Sequence, residues 1–152
     1  MASSFIYDVF KAGLANGLFC YWSSPTASYY VTLLTPSYVP NPGHSYASNF
    51  SGSEVTGGFT AGQNGSIRIS LTGRILTSNT TSHQAEFVAS QTSWVSLTAT
   101  IGAWCVLQQV GSDGNSPLVC LNSLGGFPLT MSGATLVLSY ATSGLFLLQD
   151  AP

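Results

Sequence analysis

Charged side chains are scarce in this 152-residue chain. It has three basic and five acidic residues, so 5% of its side chains carry charge and the formal net charge is -2. A typical soluble domain is about 25% charged. Because each neutralised phosphate requires a lysine or an arginine, three basic residues exclude an electrostatic nucleic-acid interface. The same shortage argues against attachment to an anionic membrane surface.

A surface with so few charges must be built from serine, threonine, asparagine and glutamine. Monomeric proteins commonly keep a surface with roughly 25–35% charged residues. A neutral, hydroxyl-rich surface loses little on desolvation and suits permanent contact with other chains. The composition therefore predicts a component of a larger assembly. A secreted domain kept soluble by hydroxyl groups is the alternative that composition leaves open.

Neither a secretory signal nor a membrane span is predicted. The N-terminus has no basic segment, and Asp8 and Lys11 interrupt its apolar residues. The most apolar later stretch, 134–148, contains polar residues and glycine and is shorter than the roughly 18–20 apolar residues of a span.

The three cysteines, Cys20, Cys105 and Cys120, are an odd number without C-x-x-C spacing. Their neighbours are apolar, which predicts buried, reduced thiols. Such thiols are typical of a protein that assembles in a reducing cytoplasm.

Hydrophobic periodicity predicts a mainly β fold with one short N-terminal helix. Apolar residues recur at helical spacing over about 4–16, with Ser3 or Ser4 as N-cap and Asn16-Gly17 as the stop. The remaining chain predicts an antiparallel β-sandwich or barrel of about seven to eight strands, with Asp113-Gly114 as a hairpin turn. The predicted strands are 29–35, 67–72, 85–89, 94–97, 103–110, 118–121, 135–140 and 145–148. We expect a single domain, 1–152, with long loops over about 36–65.

One segment is close to a catalytic motif. Residues 43–47 differ by one substitution from the G-x-S-x-G nucleophile elbow, with Ser45 as the nucleophile. That motif requires a turn from a strand to a helix, whereas Ser45 lies in a proline-rich loop. A triad would need Glu54 and His83. The segment favours an ordinary loop serine over a hydrolase.

Acidic and metal-binding groups are equally sparse. Glu54 and Glu86 are the carboxylates without another predicted role, so they form the candidate pair for a glycosidase. His44 and His83 are isolated from each other and from the cysteines, so no metal site is predicted. We therefore expect neither an enzyme nor a cofactor.

Aromatic residues crowd the first third of the chain. Tyrosine and tryptophan are enriched at protein interfaces, and they also pack cores. A carbohydrate-binding β-sandwich would instead expose them as stacking platforms, with Trp22 or tyrosines in that role. The candidate partner-interface residues are Tyr21, Trp22, Tyr29, Tyr38, Tyr46, Phe50 and Phe59.

Several segments carry, in order, the features of one family. The most specific is Ser53-Glu54-Val55-Thr56-Gly57-Gly58-Phe59-Thr60-Ala61-Gly62. The others are the loop 35–41 with His44, the strand pair 93–106, the Ser-Pro-Leu-Val run 116–119 and the closing segment 139–145. Together they resemble a widespread group of small structural proteins of tailed bacteriophages.

The resemblance implies a virion component that assembles in the host cytoplasm. It leaves open whether such a component decorates the capsid or belongs to the tail. Of the two, we expect a capsid cement or decoration protein bound to the outer face of the major capsid protein shell. The expected partners are that protein and copies of this chain, as a dimer or trimer, and neither nucleic acid nor membrane. A tail or tail-tip protein is the alternative within the family. The resemblance supplies no catalytic residues, and the loops 36–65 are predicted to be flexible arms that order on the shell.

Overall fold

The computed structural model describes residues 4–17, 22–59, 61–62, 68–81, 84–140 and 146–149. Within these residues there are eleven strand segments, two of them only two residues long, and one α-helix. Every strand pairing is antiparallel. The predicted antiparallel, sandwich-like β fold with one N-terminal helix is therefore confirmed. None of the described helices combines the length and the apolar character that a bilayer crossing requires.

The elements form three sheets. In chain order they are β1 Ser4–Ile6, α1 Asp8–Ala15, β2 Ser28–Leu34, β3 Ala61–Gly62, β4 Ile69–Ser70, β5 Ile75–Asn79, β6 Gln84–Val88, β7 Thr92–Ile101, β8 Ala103–Gln109, β9 Leu118–Asn122, β10 Leu129–Leu138 and β11 Phe146–Gln149. A central sheet has the order β1-β9-β8-β2-β4, and two outer sheets have the orders β10-β7-β3 and β11-β6-β5. Two short 3-10 turns, Ala47–Phe50 and Asp113–Asn115, lie in the connections.

The central sheet is apolar on both faces because its strands alternate between two cores. In β2, Val31 and Leu33 pack in one core and Leu34 packs in the other. The first core fills the space towards the outer sheets and α1, and includes Trp94 of β7 and Phe87 of β6. The central sheet is therefore covered on this face by regular structure.

The second face of the central sheet is covered by the long loop. Tyr38, Ala47 and Phe50 are buried against β8 and β9 in the second core. Backbone hydrogen bonds fasten the loop further, among them Ala47 N–H to the Ser116 carbonyl at 2.9 Å. The prediction of flexible arms is wrong for 36–59, since burial of these apolar side chains holds the loop on the sheet.

The helix is shorter than predicted. It spans Asp8–Ala15, and Ser4–Ile6 forms β1, which pairs with β9. Tyr7, not Ser4, is the N-cap, and it makes no side-chain capping bond. Strand pairing and burial thus override the helical spacing of the first apolar residues. The predicted stop is confirmed, since the helix ends at Ala15 with Asn16 as its C-cap, and Gly17 has a positive φ of 71°.

The outer sheets differ most from the predicted strands. Strand β5 was not predicted, because only two apolar residues precede its polar half. Strands β7 and β10 each run for ten residues and include irregularities, with φ at 54° for Ser96 and at 69° for Gly133. In the central sheet, the predicted strand 67–72 is reduced to Ile69–Ser70 among its described residues.

Gly58, in the most specific segment of the family resemblance, lies directly against β7. The backbone N–H of Thr98 donates to the Gly58 carbonyl at 2.5 Å. Gly58 has a φ of 84°, and a Cβ at this position would collide with the Thr98 carbonyl oxygen. Glycine is therefore required here by both backbone conformation and close approach.

Candidate interaction surface

Two of the aromatic residues predicted to face a partner lie in the first core. Trp22 and Tyr29 are fully buried, with ring centroids 4.8 Å apart. Trp22 also packs edge-to-face on Phe87 and donates its indole N–H to the Val88 carbonyl at 3.1 Å. Their assignment to a partner interface is wrong, because they bury their rings within the chain.

The other candidates divide between the second core and the surface. Tyr38 and Phe50 are buried and pack edge-to-face at 6.3 Å, so these two assignments are also wrong. Phe59 is half-buried and packs on the first core. Tyr46 is 42% exposed and remains available to a partner. Tyr21 lies outside the described residues.

A chain of hydrogen bonds ties the long loop to the sheet. The Tyr7 and Tyr38 hydroxyls are 3.0 Å apart, and the Tyr38 hydroxyl lies 2.8 Å from Nδ1 of His44. The Cys105 thiol lies 4.0 Å from the Tyr7 hydroxyl. Burial raises the pKa of Tyr7, Tyr38 and Cys105, which keeps these groups neutral. The arrangement orients the loop and leaves the thiol unreactive.

The cysteine prediction is confirmed where it is described. Cys105 and Cys120 are buried and unpaired with another sulfur. Burial raises the pKa of both thiols, so neither is an activated nucleophile. Cys20 lies outside the described residues.

Arg68 is the centre of a half-buried ion network that the sequence did not predict. Its guanidinium binds both carboxylate oxygens of Glu54, at 2.9 and 2.8 Å, and both of Asp113, at 2.6 and 2.8 Å. Thr32, fully buried on β2, donates its hydroxyl to Glu54 at 2.7 Å. The hydrogen bonds to Glu54 and Asp113 raise the pKa of Arg68, and Arg68 lowers the pKa of Asp113. The network joins β2 and the residue that directly precedes β4 to two loops.

Arg74 is also turned into the chain. Its guanidinium donates to the backbone carbonyls of Trp22 at 2.8 Å, Ser24 at 2.9 Å and Ala27 at 2.6 Å. The guanidinium carbon lies 5.2 Å from the centroid of the Tyr29 ring. This cation therefore fastens the 22–27 connection and offers little charge to solvent.

The other described charges have internal partners as well. Lys11 and Asp8 form an exposed pair at 3.0 Å on α1. Glu86 accepts hydrogen bonds from Thr77 at 3.3 Å and Asn79 at 3.2 Å. Each of the seven charged side chains in the described residues thus has a polar partner within the chain. Asp150 lies outside these residues.

In the part of the chain that the structure describes, the groups considered for catalysis have other partners. Glu54, the acid considered for the triad, is hydrogen-bonded to Thr32 and Arg68, and the ring of His44 lies 2.8 Å from the Tyr38 hydroxyl. Glu86 belongs to a separate network on the β5–β6 hairpin. His83 lies outside the described residues. Among the described residues, no three histidine, cysteine or acidic side chains are grouped as metal ligands.

The outer sheets expose aliphatic and hydroxyl side chains instead. On β7 and β10, residues alternate between the first core and solvent. Val95 and Val137 are nearly half exposed on the solvent side. On the same side, the hydroxyls of Thr100 and Thr130 lie 3.1 Å apart. We call this surface the β7–β10 outer face; it consists of Val95, Thr98, Thr100, Thr130 and Val137.

Tyr46 belongs to a separate uncharged groove. The groove has a volume of about 460 Å³ and lies between α1 and the β8–β9 hairpin. Its other lining residues include Val9, Gly13, Val110 and Pro117. Tyr46 is thus the one predicted interface residue that the described structure places in an exposed, apolar setting.

Comparison of this chain with protein-family models, with curated proteins and with solved structures finds no match. The described fold and surface are those of an antiparallel β protein with few exposed charges. The resemblance to phage structural proteins stays a prediction.

Proposed function

We propose that this chain is a structural component of a bacteriophage particle, a capsid cement or decoration protein that binds the outer face of the major capsid protein shell. One observation carries the proposal. The charged side chains among the described residues have polar partners within the chain, while aliphatic and hydroxyl groups are exposed on the outer sheets. Such a surface is suited to permanent burial against neighbours.

The energetics of this contact follow from its chemistry. Removing apolar surface from water contributes about 25 cal/mol per Å². Hydroxyl groups cost much less to desolvate than charges do, provided that they find hydrogen-bond partners. A symmetric shell then presents many equivalent sites, so modest single contacts add up to stable coating. Since salt screens charges, binding of this kind should persist at high ionic strength.

The role needs neither catalysis nor a cofactor, and its location is the virion. No described observation favours the carbohydrate-binding alternative, since Trp22, Trp94 and Trp104 are all buried and offer no exposed tryptophan platform. The tail alternative shares the same surface chemistry and is separated from the capsid role by copy number.

The proposal is tested by binding the purified chain to shells of the major capsid protein from the same phage. Val137→Lys places a charge on the β7–β10 outer face and should weaken shell binding about tenfold or more, because the charge must be desolvated. Ala15→Lys adds the same charge at the exposed end of α1 and is the matched control. Bound protein is measured by co-sedimentation with the shells at low and high salt.

Three results would contradict the proposal. These are failure of the chain to sediment with the shells, equal binding by the two variants, and release of the wild-type chain at high salt. Quantifying the chain in purified particles adds a separate measurement. Copies on the scale of the major capsid protein indicate a shell role, and a few copies per particle indicate the tail.

A further inference from the structure

Strand β5 is the most exposed strand among those whose side chains are described. Ile75 is 54% exposed and Leu76 is 46% exposed, although both are aliphatic. Thr77 and Ser78 are exposed as well, and only Asn79 is half-buried. The strand is held on one side by β6, through a regular register in which Thr77 lies opposite Glu86. The β5–β6 hairpin thus presents an edge with two aliphatic side chains in water.

The other side of β5 has no strand partner in the described structure, because β5 ends the sheet order β11-β6-β5. An edge of this kind leaves a row of backbone donors and acceptors unpaired. Proteins protect such edges with lysine, proline, inward charges or bulges. The sequence Ile75-Leu76-Thr77-Ser78-Asn79 contains neither proline nor a charged residue, and its register with β6 has no bulge.

Two further observations bear on the protection of the β5 edge. Strand β10 is also an edge strand, but its register with β7 is interrupted at two places near Gly133. Arg74 directly precedes β5, where its charge would hinder pairing with another strand. Its guanidinium instead donates to backbone carbonyls of the 22–27 connection. The edge of β5 therefore remains regular and uncharged.

We propose that β5 pairs with β5 of a second copy of this chain, antiparallel and about a two-fold axis through Thr77. The two β11-β6-β5 sheets then join into one continuous six-stranded sheet. This register matches the whole strand, since Ile75 faces Asn79 of the other copy and Leu76 faces Ser78. A two-fold contact is self-complementary, so each copy supplies the same donors and acceptors.

No charge on this edge opposes a second copy as the occupant. Because β5 has no charged side chain, the pairing brings no like charges face to face. The nearest carboxylates are the two copies of Glu86, one strand behind each β5. At about 4.8 Å per strand, three spacings separate them by about 14 Å, which exceeds the Debye length of about 8 Å at physiological salt.

This inference rests on the proposed function only in taking copies of the chain as partners. It concerns the isolated protein, whereas the capsid proposal concerns shells. A monomeric chain that still coats shells would overturn the β5 contact and leave the capsid role standing. A dimeric chain that does not bind shells would leave the β5 contact standing and contradict the capsid role.

The test is analytical ultracentrifugation of the full chain over a range of concentrations, with two matched variants. Thr77→Lys puts a lysine on the two-fold axis, opposite its own copy, and its side chain can reach Glu86 within the same hairpin. Thr130→Lys makes the same change on the β7–β10 outer face. We expect a dimer for wild type and for Thr130→Lys, and at least about a tenfold weaker dimer for Thr77→Lys. A monomeric wild type, or equal behaviour of the two variants, overturns the proposal.

A second measurement does not depend on the lysine variants. Thr77→Cys should form a disulfide between copies under mild oxidation, because a residue on the axis lies directly opposite itself within bridging distance. Thr130→Cys, equally exposed but away from the axis, should not. Non-reducing electrophoresis separates the products. Equal crosslinking at both positions, or none at position 77, contradicts the register. If the chain dimerises through another surface, or a capsid segment is the true partner of β5, position 77 stays uncrosslinked in the isolated protein.

Discussion

The central sheet buries both of its faces, whereas each outer sheet buries only one. The central sheet buries one face under the outer sheets and the other under the loop that contains Tyr38 and Phe50. The outer sheets bury one face only, and their other face and the β5 edge expose valine, isoleucine and leucine. The larger part of the buried core therefore surrounds the central sheet, whereas the contacts proposed above use the exposed groups of the outer sheets.

The distribution of charge follows the same division. The two half-buried arginines, Arg68 and Arg74, fasten loops and connections around the central sheet. The β7–β10 outer face has no charge. The β5–β6 hairpin has only Glu86, which accepts hydrogen bonds from Thr77 and Asn79. A chain with so few charges uses most of them for its own fold. The surface left for partners is neutral for that reason.

The largest expected effect concerns the loop over the central sheet. Phe50→Ala should lower the free energy of unfolding by about 3–5 kcal/mol, because it empties a fully buried aromatic position in the second core. The measurement is equilibrium denaturation. Val39→Ala, in the same loop but 76% exposed, should change stability by less than about 0.5 kcal/mol. Equal small effects at both positions would show that the loop does not cover the sheet.

The next effect concerns the ion network. Arg68→Gln should cost about 2–3 kcal/mol, because it leaves Glu54 largely buried with Thr32 as a donor but without its cation. Lys11→Gln removes a cation from the exposed pair with Asp8 and should cost no more than about 0.5 kcal/mol. Denaturation curves at neutral pH compare the two variants. If both changes cost the same, the network contributes no more than a surface ion pair.

Local patterns were sufficient to predict the centre of the fold. The β-branched and aromatic residues of β2 and the turn at Asp113-Gly114 between β8 and β9 led to strands that the structure confirms. The start of the helix was not predictable in this way, since the pairing of Ser4–Ile6 with β9 joins residues more than a hundred positions apart. Local propensity has no access to such pairings.

The surface was harder to predict than the fold. Tyr38 and Phe50 stand singly among serine and proline, so no periodicity marks them as buried. Arg68 finds its partners 14 and 45 positions away, and only the folded chain brings Glu54 and Asp113 to it. Composition did predict a neutral exterior. It could not predict which aromatic side chains would remain outside, because that depends on how the loop packs.

The smallest expected effect sharpens the role of Asp113 at the solvent side of the network. Arg68 lowers the pKa of the Asp113 carboxyl through two hydrogen bonds. The contribution to stability is therefore present above the unfolded pKa of about 3.9 and is lost as pH falls through the lower pKa of the folded state. Since the Asp113 side chain is 46% exposed, solvent screening limits this contribution to less than about 1 kcal/mol. Asp113→Asn should thus be slightly less stable than wild type at neutral pH, and the difference should shrink below about pH 4. Denaturation at both pH values measures it, and the same substitution in an Arg68→Gln background is the control. Without its cation Asp113 loses the cause of the shift, so a pH-dependent difference that survives in that background would assign it to another group.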